Sequence, residues 1–211
     1  ADKLASSLMK NAKQDNHVHT RIAAMTLLAQ VQGDKNTKLL LGASSDKNPE
    51  YRAAALMIAS KNINATTTAS WLKKLKKSNP EVQAEIITML SKVKDESALG
   101  DITKHLQDKD MNVRIAAIAA VGKIGGEKSL PALLSLLKNG NGEEITAVKN
   151  TIDMMSGDGV VNSVAEAVSC APATGKAALV SILGARGASD KSAIVFPLLK
   201  SDNGEVRKAS F

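Results

Sequence analysis

A period of 31 residues constrains the fold of this chain more than any other feature of its sequence. Stepping by that period from Arg114 gives an ungapped, mostly basic column: Arg21, Arg52, Gln83, Arg114, Ile145, Lys176 and Arg207. Three residues later stands an apolar column: Ala24, Ala55, Ile86, Ala117, Val148 and Leu179. Self-similarity at a fixed period of about 20–50 residues is typical of repeat proteins. The period therefore predicts a single array over residues 1–211, in which each repeat contacts mainly its neighbours.

Each repeat contains two helical patterns, here called the outer helix and the inner helix. The outer helices share an apolar column: Met9, Leu40, Trp71, Ile102, Leu133, Val164 and Val195. Most inner helices follow a residue that favours the N-cap: Asn48, Asn79, Asp110, Asn141 and Asn203. Glycine-containing loops, such as 125–126 and 187, end them. We therefore predict an all-α fold, an α-solenoid of about six to seven helix–turn–helix repeats.

Composition excludes some classes of protein. Apolar residues make up 44% of the chain and aromatic residues only 2%, so the core must consist mainly of aliphatic side chains. The longest apolar run, residues 115–121, is too short to span a bilayer, and no signal-peptide pattern is present. The single cysteine, Cys170, excludes an internal disulfide, and we expect it to be buried as a small apolar residue.

The net charge of +7 is unevenly distributed along the chain. Residues 1–105 contain 16 Lys and Arg against 10 Asp and Glu, whereas residues 106–211 contain 12 against 11. An anionic partner is therefore expected to favour the N-terminal half.

The segment from Asp110 to Gly125 carries a recognisable pattern, D-x-x-V-R-x-A-A-x-x-A-V-G-x-I-G. It resembles a HEAT repeat, and more narrowly the short HEAT-like repeats named after phycobilisome lyases. Residues 48–63, 79–93 and 202–211 match more loosely. Residues 141–155 and 172–187 keep the period and the apolar columns but lack the arginine.

The resemblance implies that the inner helices line the concave side of the array and the outer helices its convex side. Such arrays mostly serve as binding scaffolds, and fold alone does not define function. HEAT-like segments also occur in large bacterial multidomain proteins, some of them exported. Export to the periplasm or cell envelope and a cytoplasmic location both remain open.

The candidate binding residues lie on the inner helices. Lys61, Lys92 and Lys123 share one column and are expected to form a basic row, with stacked helices about 8–10 Å apart. Met57 and Ile115 belong to the small and mildly apolar face beside that row. The alternative interpretation of the lysines is a solvated last helical turn, where a cation suits the helix dipole.

Other motifs have simpler interpretations. We expect the arginine column to bond neighbouring turns and fix the stacking of the repeats, and Trp71 to belong to the core. Lysines 73, 74, 76 and 77 are expected to form a solvated face. The pair His17 and His19 lacks further metal ligands. Residues 122–129, GKIGGEKS, have Glu127 where a phosphate-binding loop needs glycine, and they follow a helix.

The function favoured by these observations is a non-catalytic scaffold that binds a protein or peptide, with acidic partners among the candidates. We expect no cofactor, no catalytic residue, no nucleic-acid partner and a monomeric state. We also expect the array to be a segment of a larger multidomain protein, truncated within a repeat at its C-terminus. The alternative is a nucleic-acid-binding or base-processing array that uses the basic N-terminal half. A third candidate, a chromophore lyase, rests on the family resemblance alone.

Overall fold

The computed structural model describes residues 17–32, 36–138, 140–157 and 159–211, together with Lys3 and Ser7. These residues form α-helices, 3₁₀ turns and loops, and they include no β-strand. The fold class is the predicted all-α solenoid. The predicted first outer helix, with Leu4, Leu8 and Met9, and the predicted loop at Gly33 and Asp34 lie outside the described residues.

The chain divides into two compact units, Ala1–Asp101 and Ile102–Phe211. The described residues of unit 1 form five complete α-helices: α1 (Val18–Gln32), α2 (Thr37–Ala43), α3 (Pro49–Ser60), α4 (Ala65–Leu75) and α5 (Pro80–Val93). The inner helices α1, α3 and α5 pack in series, and the outer helices α2 and α4 each cover the inner helix that follows them. Helix α6 (Leu99–Lys104) contains the boundary between the units. The expectation of a single array over residues 1–211 stays a prediction.

Unit 2 repeats this arrangement. Its helices are α7 (Met111–Gly125), α8 (Leu130–Leu136), α9 (Gly142–Asp153), α10 (Gly159–Cys170), α11 (Ala173–Ala185), α12 (Ser192–Val195) and α13 (Gly204–Ala209). The inner helices α7, α9, α11 and α13 pack in series. The outer helices range from 4 residues in α12 to 12 residues in α10, and the outer segments include 3₁₀ turns, such as His105–Gln107 before α7 and Phe196–Lys200 before α13.

The inner helices begin where the sequence predicts. The Asn48 side chain accepts a hydrogen bond from the backbone N–H of Tyr51, and Asn79 accepts one from Val82. The side chains of Asp110, Asn141 and Asn203 cap α7, α9 and α13 in the same way. Each cap satisfies a backbone donor that the first helical turn leaves unpaired.

The predicted outer-helix column forms the core over most of the described chain. Leu40, Trp71, Ile102, Leu133 and Val164 are each 2% exposed or less. Val195 departs from the prediction, because it is only half-buried. It belongs to α12, a helix of 4 residues that is too short to present a continuous apolar stripe.

One loop of unit 2 depends on a glycine. The backbone of Gly157 has a φ of +132°, a conformation that is essentially restricted to glycine. A Cβ atom at this residue would overlap the carboxylate of Glu127. That carboxylate accepts a hydrogen bond of 3.0 Å from the backbone N–H of Gly159, the first residue of α10. The loop therefore lets an acid from the preceding repeat cap the N-terminus of the next outer helix.

We expect Gly157→Ala to lower the free energy of unfolding by about 1–3 kcal/mol, because alanine is strained at this φ and displaces Glu127. Urea denaturation followed by circular dichroism measures the change. Gly142→Ala is the matched control, since a Cβ there meets no atom within 4 Å and no positive φ is required. Equal stability of the two variants would contradict the structural role of Gly157.

Candidate binding surface

Arg52 joins two repeats of unit 1. Its side chain is only 4% exposed. Its Nε atom donates to Glu85 Oε2 at 2.9 Å, and its Nη1 atom donates to the backbone carbonyls of Asp46 and Lys47 at 3.0 and 3.2 Å. Its Nη2 atom also pairs with Glu81. One guanidinium thus holds the turn before its own helix and two acids on the next inner helix.

In unit 2, Arg114 likewise joins the turn before its own helix to the next inner helix. Its Nη1 atom donates to the carbonyls of Asp108 and Lys109 at 2.8 and 3.1 Å, and its Nε atom donates to Glu144 on the next inner helix. Among the described residues, the Arg207 side chain bonds only the turn before its own helix, where it donates to the Ser201 carbonyl at 2.6 Å. The predicted role of the arginine column in the stacking of the repeats is confirmed at Arg52 and Arg114.

Arg21 extends the column to the start of unit 1. Its guanidinium carbon lies 4.0 Å from the centre of the Tyr51 ring, and its Nη2 atom donates to the Asp46 carboxylate. This hydrogen bond lowers the pKa of Asp46. The pKa of Glu144 is also lowered, first by the hydrogen bond that its carboxylate accepts from the backbone N–H of Asn141 and then by Arg114.

These two shifts predict loss of stability in acid. A carboxyl whose pKa is lowered by folding stabilises the protein above its unfolded pKa, and that stability is lost as the pH falls through the folded value. We expect the urea concentration at the unfolding midpoint to decrease as the pH is lowered from about 5 to about 2, through the ordinary pKa range of Asp and Glu and below it. Asp46→Asn should reduce this pH dependence, whereas Asp202→Asn, at an exposed residue, should retain it. An identical pH profile for the two variants would contradict the role of Asp46.

Three charged residues in these contacts were not anticipated from the sequence. Glu144 completes a capping box with Asn141, and the spacing N-x-x-E could have revealed it. Glu127 caps α10, but its partner lies 32 residues away. Arg186 donates to the carbonyl of Met155 at 2.6 Å and to that of Ile152, at the end of α9. It stands 31 residues after Met155, in a column that is otherwise mostly apolar.

Two inner helices of unit 1, α3 and α5, each present one narrow exposed stripe beside the arginine contacts. The stripe on α3 comprises Glu50, Ala53, Met57 and Lys61, and each of these residues is exposed. The stripe on α5 comprises Glu81, Ala84, Thr88 and Lys92, with Ala84 half-buried and the others exposed. The two stripes are in register because α3 and α5 are adjacent repeats of the same period.

The predicted binding residues of unit 1 therefore lie on exposed stripes. Met57 has 60% of its surface exposed, which is unusual for a large apolar side chain. Within the described part of the chain, Lys61 and Lys92 make no side-chain hydrogen bond or ion pair, in contrast to the paired Lys76, whose Nζ lies 3.2 Å from Asp101. Both lysines are available to an outside partner.

Unit 2 carries the remaining predicted residues. Lys123 is exposed on α7 and, like the two lysines of unit 1, has no ion pair among the described residues. Ile115, on the same helix, is only half-buried. Met154 follows Lys123 by 31 residues, lies directly after α9, and is 85% exposed. That these residues bind a partner stays a prediction.

The sequence predicts that Trp71 and Cys170 are both buried. Trp71 is 1% exposed and belongs to the core, as predicted. The prediction that Cys170 is buried is wrong, because this residue is exposed. Cys170 follows the buried Val168 by two residues, which places it about 200° around the helix on the opposite face. It borders a groove of about 390 Å³ between α8 and α10.

His19 contacts Glu50, with 3.3 Å between Nδ1 and Oε1, rather than a set of metal ligands. Among the described residues, no group of three or more His, Cys, Asp or Glu is placed to hold a metal ion. None of the described helices combines the length and the apolar character that crossing a membrane requires.

The stacked helix pairs and their arginine contacts define the class of protein: an all-α array of helix–turn–helix repeats. More particularly, residues 68–149 match the family model for HEAT repeats, and this part of the chain consists of HEAT repeats. The resemblance of residues 110–125 to a HEAT repeat is therefore confirmed. No curated protein matches the chain.

Solved structures of helical repeat proteins show weak similarity. The structure of human deoxyhypusine hydroxylase in complex with glycerol has a TM-score of 0.49 and 13% identity, covering 99% of this chain and 94% of that one. An engineered protein has a TM-score of 0.34 and 18% identity, with 99% and 92% covered. A designed armadillo repeat protein has a TM-score of 0.28 and 17% identity, with 96% of both chains covered. Similarities at this level carry no implication for function.

Proposed function

We propose that this chain is a non-catalytic repeat scaffold that binds a protein or peptide along the exposed stripes of its inner helices. On unit 1 the partner carries acidic groups that meet Lys61 and Lys92 and apolar groups that meet Met57, and on unit 2 Lys123 offers the same contact to an acidic group. The observation that carries the proposal is the contrast between paired and unpaired cations. Arg52 and Arg114 form ion pairs with acids of the next repeat, whereas the three lysines are exposed and unpaired among the described residues.

The chemistry of the stripes supports binding rather than catalysis. Between their charged ends the stripes carry Ala53, Met57, Ala84 and Thr88, side chains that offer contact area but no acid, base or strong nucleophile. Apolar contact at the centre with charges at the rim is the usual anatomy of a protein–protein interface. The rim charges are expected to contribute mainly to the association rate and to specificity.

A charge-reversal experiment tests this proposal. Peptides are selected from a random display library on the intact chain, and their affinities are measured by isothermal titration calorimetry. We expect the triple variant Lys61→Glu, Lys92→Glu and Lys123→Glu to weaken the selected peptides by at least about tenfold, or about 1.4 kcal/mol. Its melting temperature should change little, because exposed charges contribute little to stability.

The matched control reverses three exposed lysines outside the stripes, Lys38, Lys73 and Lys77, with the same change in net charge. This control should retain peptide affinity if the stripes are the binding surface. Equal losses in both variants would reveal a non-specific charge effect and overturn the proposal. Failure to select any peptide, together with salt-dependent retention of the chain on DNA, would instead favour the nucleic-acid alternative.

A further inference from the structure

Unit 1 presents opposite charges at the two ends of its exposed stripes. Glu50 and Glu81 lie in the first turns of α3 and α5, with side chains 55% and 65% exposed. Lys61 and Lys92 lie at the other ends of the same stripes and are exposed. We call the first pair the acid row and the second pair the lysine row. A partner that used only the lysine row would leave the acid row unmatched.

The two rows run side by side. Arg52, in the first turn of α3, contacts Glu81 in the first turn of α5, so the first turns of these two packed helices lie side by side. Each lysine follows its acid by 11 residues. At a rise of 1.5 Å per residue, the rows are separated by about 16 Å along the helix axes.

The strip between the rows leaves room for a polypeptide backbone. Ala53 and Ala84 have the shortest side chains that a helix can carry without glycine, and Thr88 is only slightly larger. Met57 is the single large side chain in the strip, and it is flexible enough to adapt to a ligand. A chain that lies across α3 and α5 would therefore have the acid row on one side and the lysine row on the other.

On the basis of the function proposed above, we propose that this surface of unit 1 binds an extended peptide with alternating basic and acidic side chains. Successive side chains of an extended chain point to opposite sides. Basic residues would face Glu50 and Glu81, and acidic residues would face Lys61 and Lys92. Residues two apart are about 6.8 Å from each other, and stacked helices lie about 8–10 Å apart, a difference that long charged side chains can span.

Each glutamate of the acid row contacts one neighbouring side chain and stays exposed to a ligand. His19 contacts Glu50, and its own side chain is 83% exposed, so a ligand cation can compete for the carboxylate. Arg52 contacts Glu81 but is also held by Glu85 and two backbone carbonyls. The exposed part of the Glu81 carboxylate therefore remains accessible.

Two synthetic peptides of equal composition test the inference. One alternates Lys and Glu over about eight residues, long enough to cross two helices, and the other has all its lysines before all its glutamates. Both carry blocked termini and the same net charge. Fluorescence anisotropy at low salt should show that the intact chain binds the alternating peptide at least about tenfold more tightly than the block peptide.

A swap of the two rows provides the matched variant. The quadruple change Glu50→Lys, Glu81→Lys, Lys61→Glu and Lys92→Glu preserves net charge and reverses both rows. The alternating peptide should still bind, because a shift of one residue restores every pair. The half-swap Lys61→Glu and Lys92→Glu should abolish binding, since both rows are then acidic. Melting temperatures establish that each variant folds.

Equal affinity for the alternating and block peptides would overturn the inference, and so would loss of binding in the quadruple variant when its melting temperature is unchanged. In either case the proposed function would stand if library-selected peptides still depended on the lysines. If no selected peptide depends on the lysines, the proposed function itself fails.

Discussion

Replacing Arg52 with alanine is expected to lower the free energy of unfolding by about 3 kcal/mol, the upper end of the cost of leaving the hydrogen-bond partners of a buried side chain unsatisfied. The variant would leave the half-buried Glu85 without its cation. It would also leave the carbonyls of Asp46 and Lys47 without the donor that now serves both. Urea denaturation of the intact chain at neutral pH, followed by circular dichroism, measures the loss.

The other arginines of the column form a graded set of controls. Arg114→Ala should cost about 1–3 kcal/mol, because its side chain is 19% exposed and water can replace part of its hydrogen bonding. Arg207→Ala should cost least, since this residue is exposed and, among the described residues, its side chain donates one hydrogen bond, to the Ser201 carbonyl. The same small loss at all three positions would show that the contacts between repeats are not the source of the stability.

The period alone was enough to predict the helices and most of the core. A column such as Leu40, Trp71 and Ile102 is buried because equivalent residues of successive repeats occupy equivalent environments. The prediction weakened where the local helix is irregular. Val195 occupies the right column but lies on a helix of 4 residues, and Cys170 was assigned by residue type rather than by its helical angle.

The contacts between repeats were predictable only in part. The arginine column was visible, but its partners were not, since they stand at different offsets: Glu85 follows Arg52 by 33 residues and Glu144 follows Arg114 by 30. A long side chain can reach either position, so the period does not define the partner. The bond from Glu127 to Gly159 depends in addition on the positive φ of Gly157.

The candidate surface was also predictable only in part. Exposure of Lys61, Lys92 and Lys123 followed from their column, whereas their lack of ion pairs among the described residues required the structure. From the sequence alone, Glu50 and Glu81 are acids that suit the positive ends of their helices. That they form an exposed row opposite the lysines became evident once the register of α3 and α5 was known. Sequence periodicity identifies equivalent positions, and packing decides which of them face outward together.

Trp71→Ala is expected to lower the free energy of unfolding by about 3–5 kcal/mol, as is usual when a buried aromatic side chain is removed from a core. Trp71 is 1% exposed in the outer helix α4, which packs against α2 and α5, so its loss leaves a cavity that the neighbouring helices can fill only in part. Circular dichroism is the appropriate measurement, because the variant lacks the only tryptophan of the chain.

The same substitution separates two roles for this residue. Trp71→Phe keeps an aromatic ring and should recover most of the stability, because it leaves a much smaller cavity. A base-stacking platform would behave differently: truncation would weaken single-stranded nucleic-acid binding by about 1–3 kcal/mol with little loss of stability. A stable Trp71→Ala variant with reduced binding to DNA would therefore contradict the core assignment. A destabilised variant that Trp71→Phe restores would place the aromatic ring in the core of unit 1 and leave the exposed stripes as the surface available to a partner.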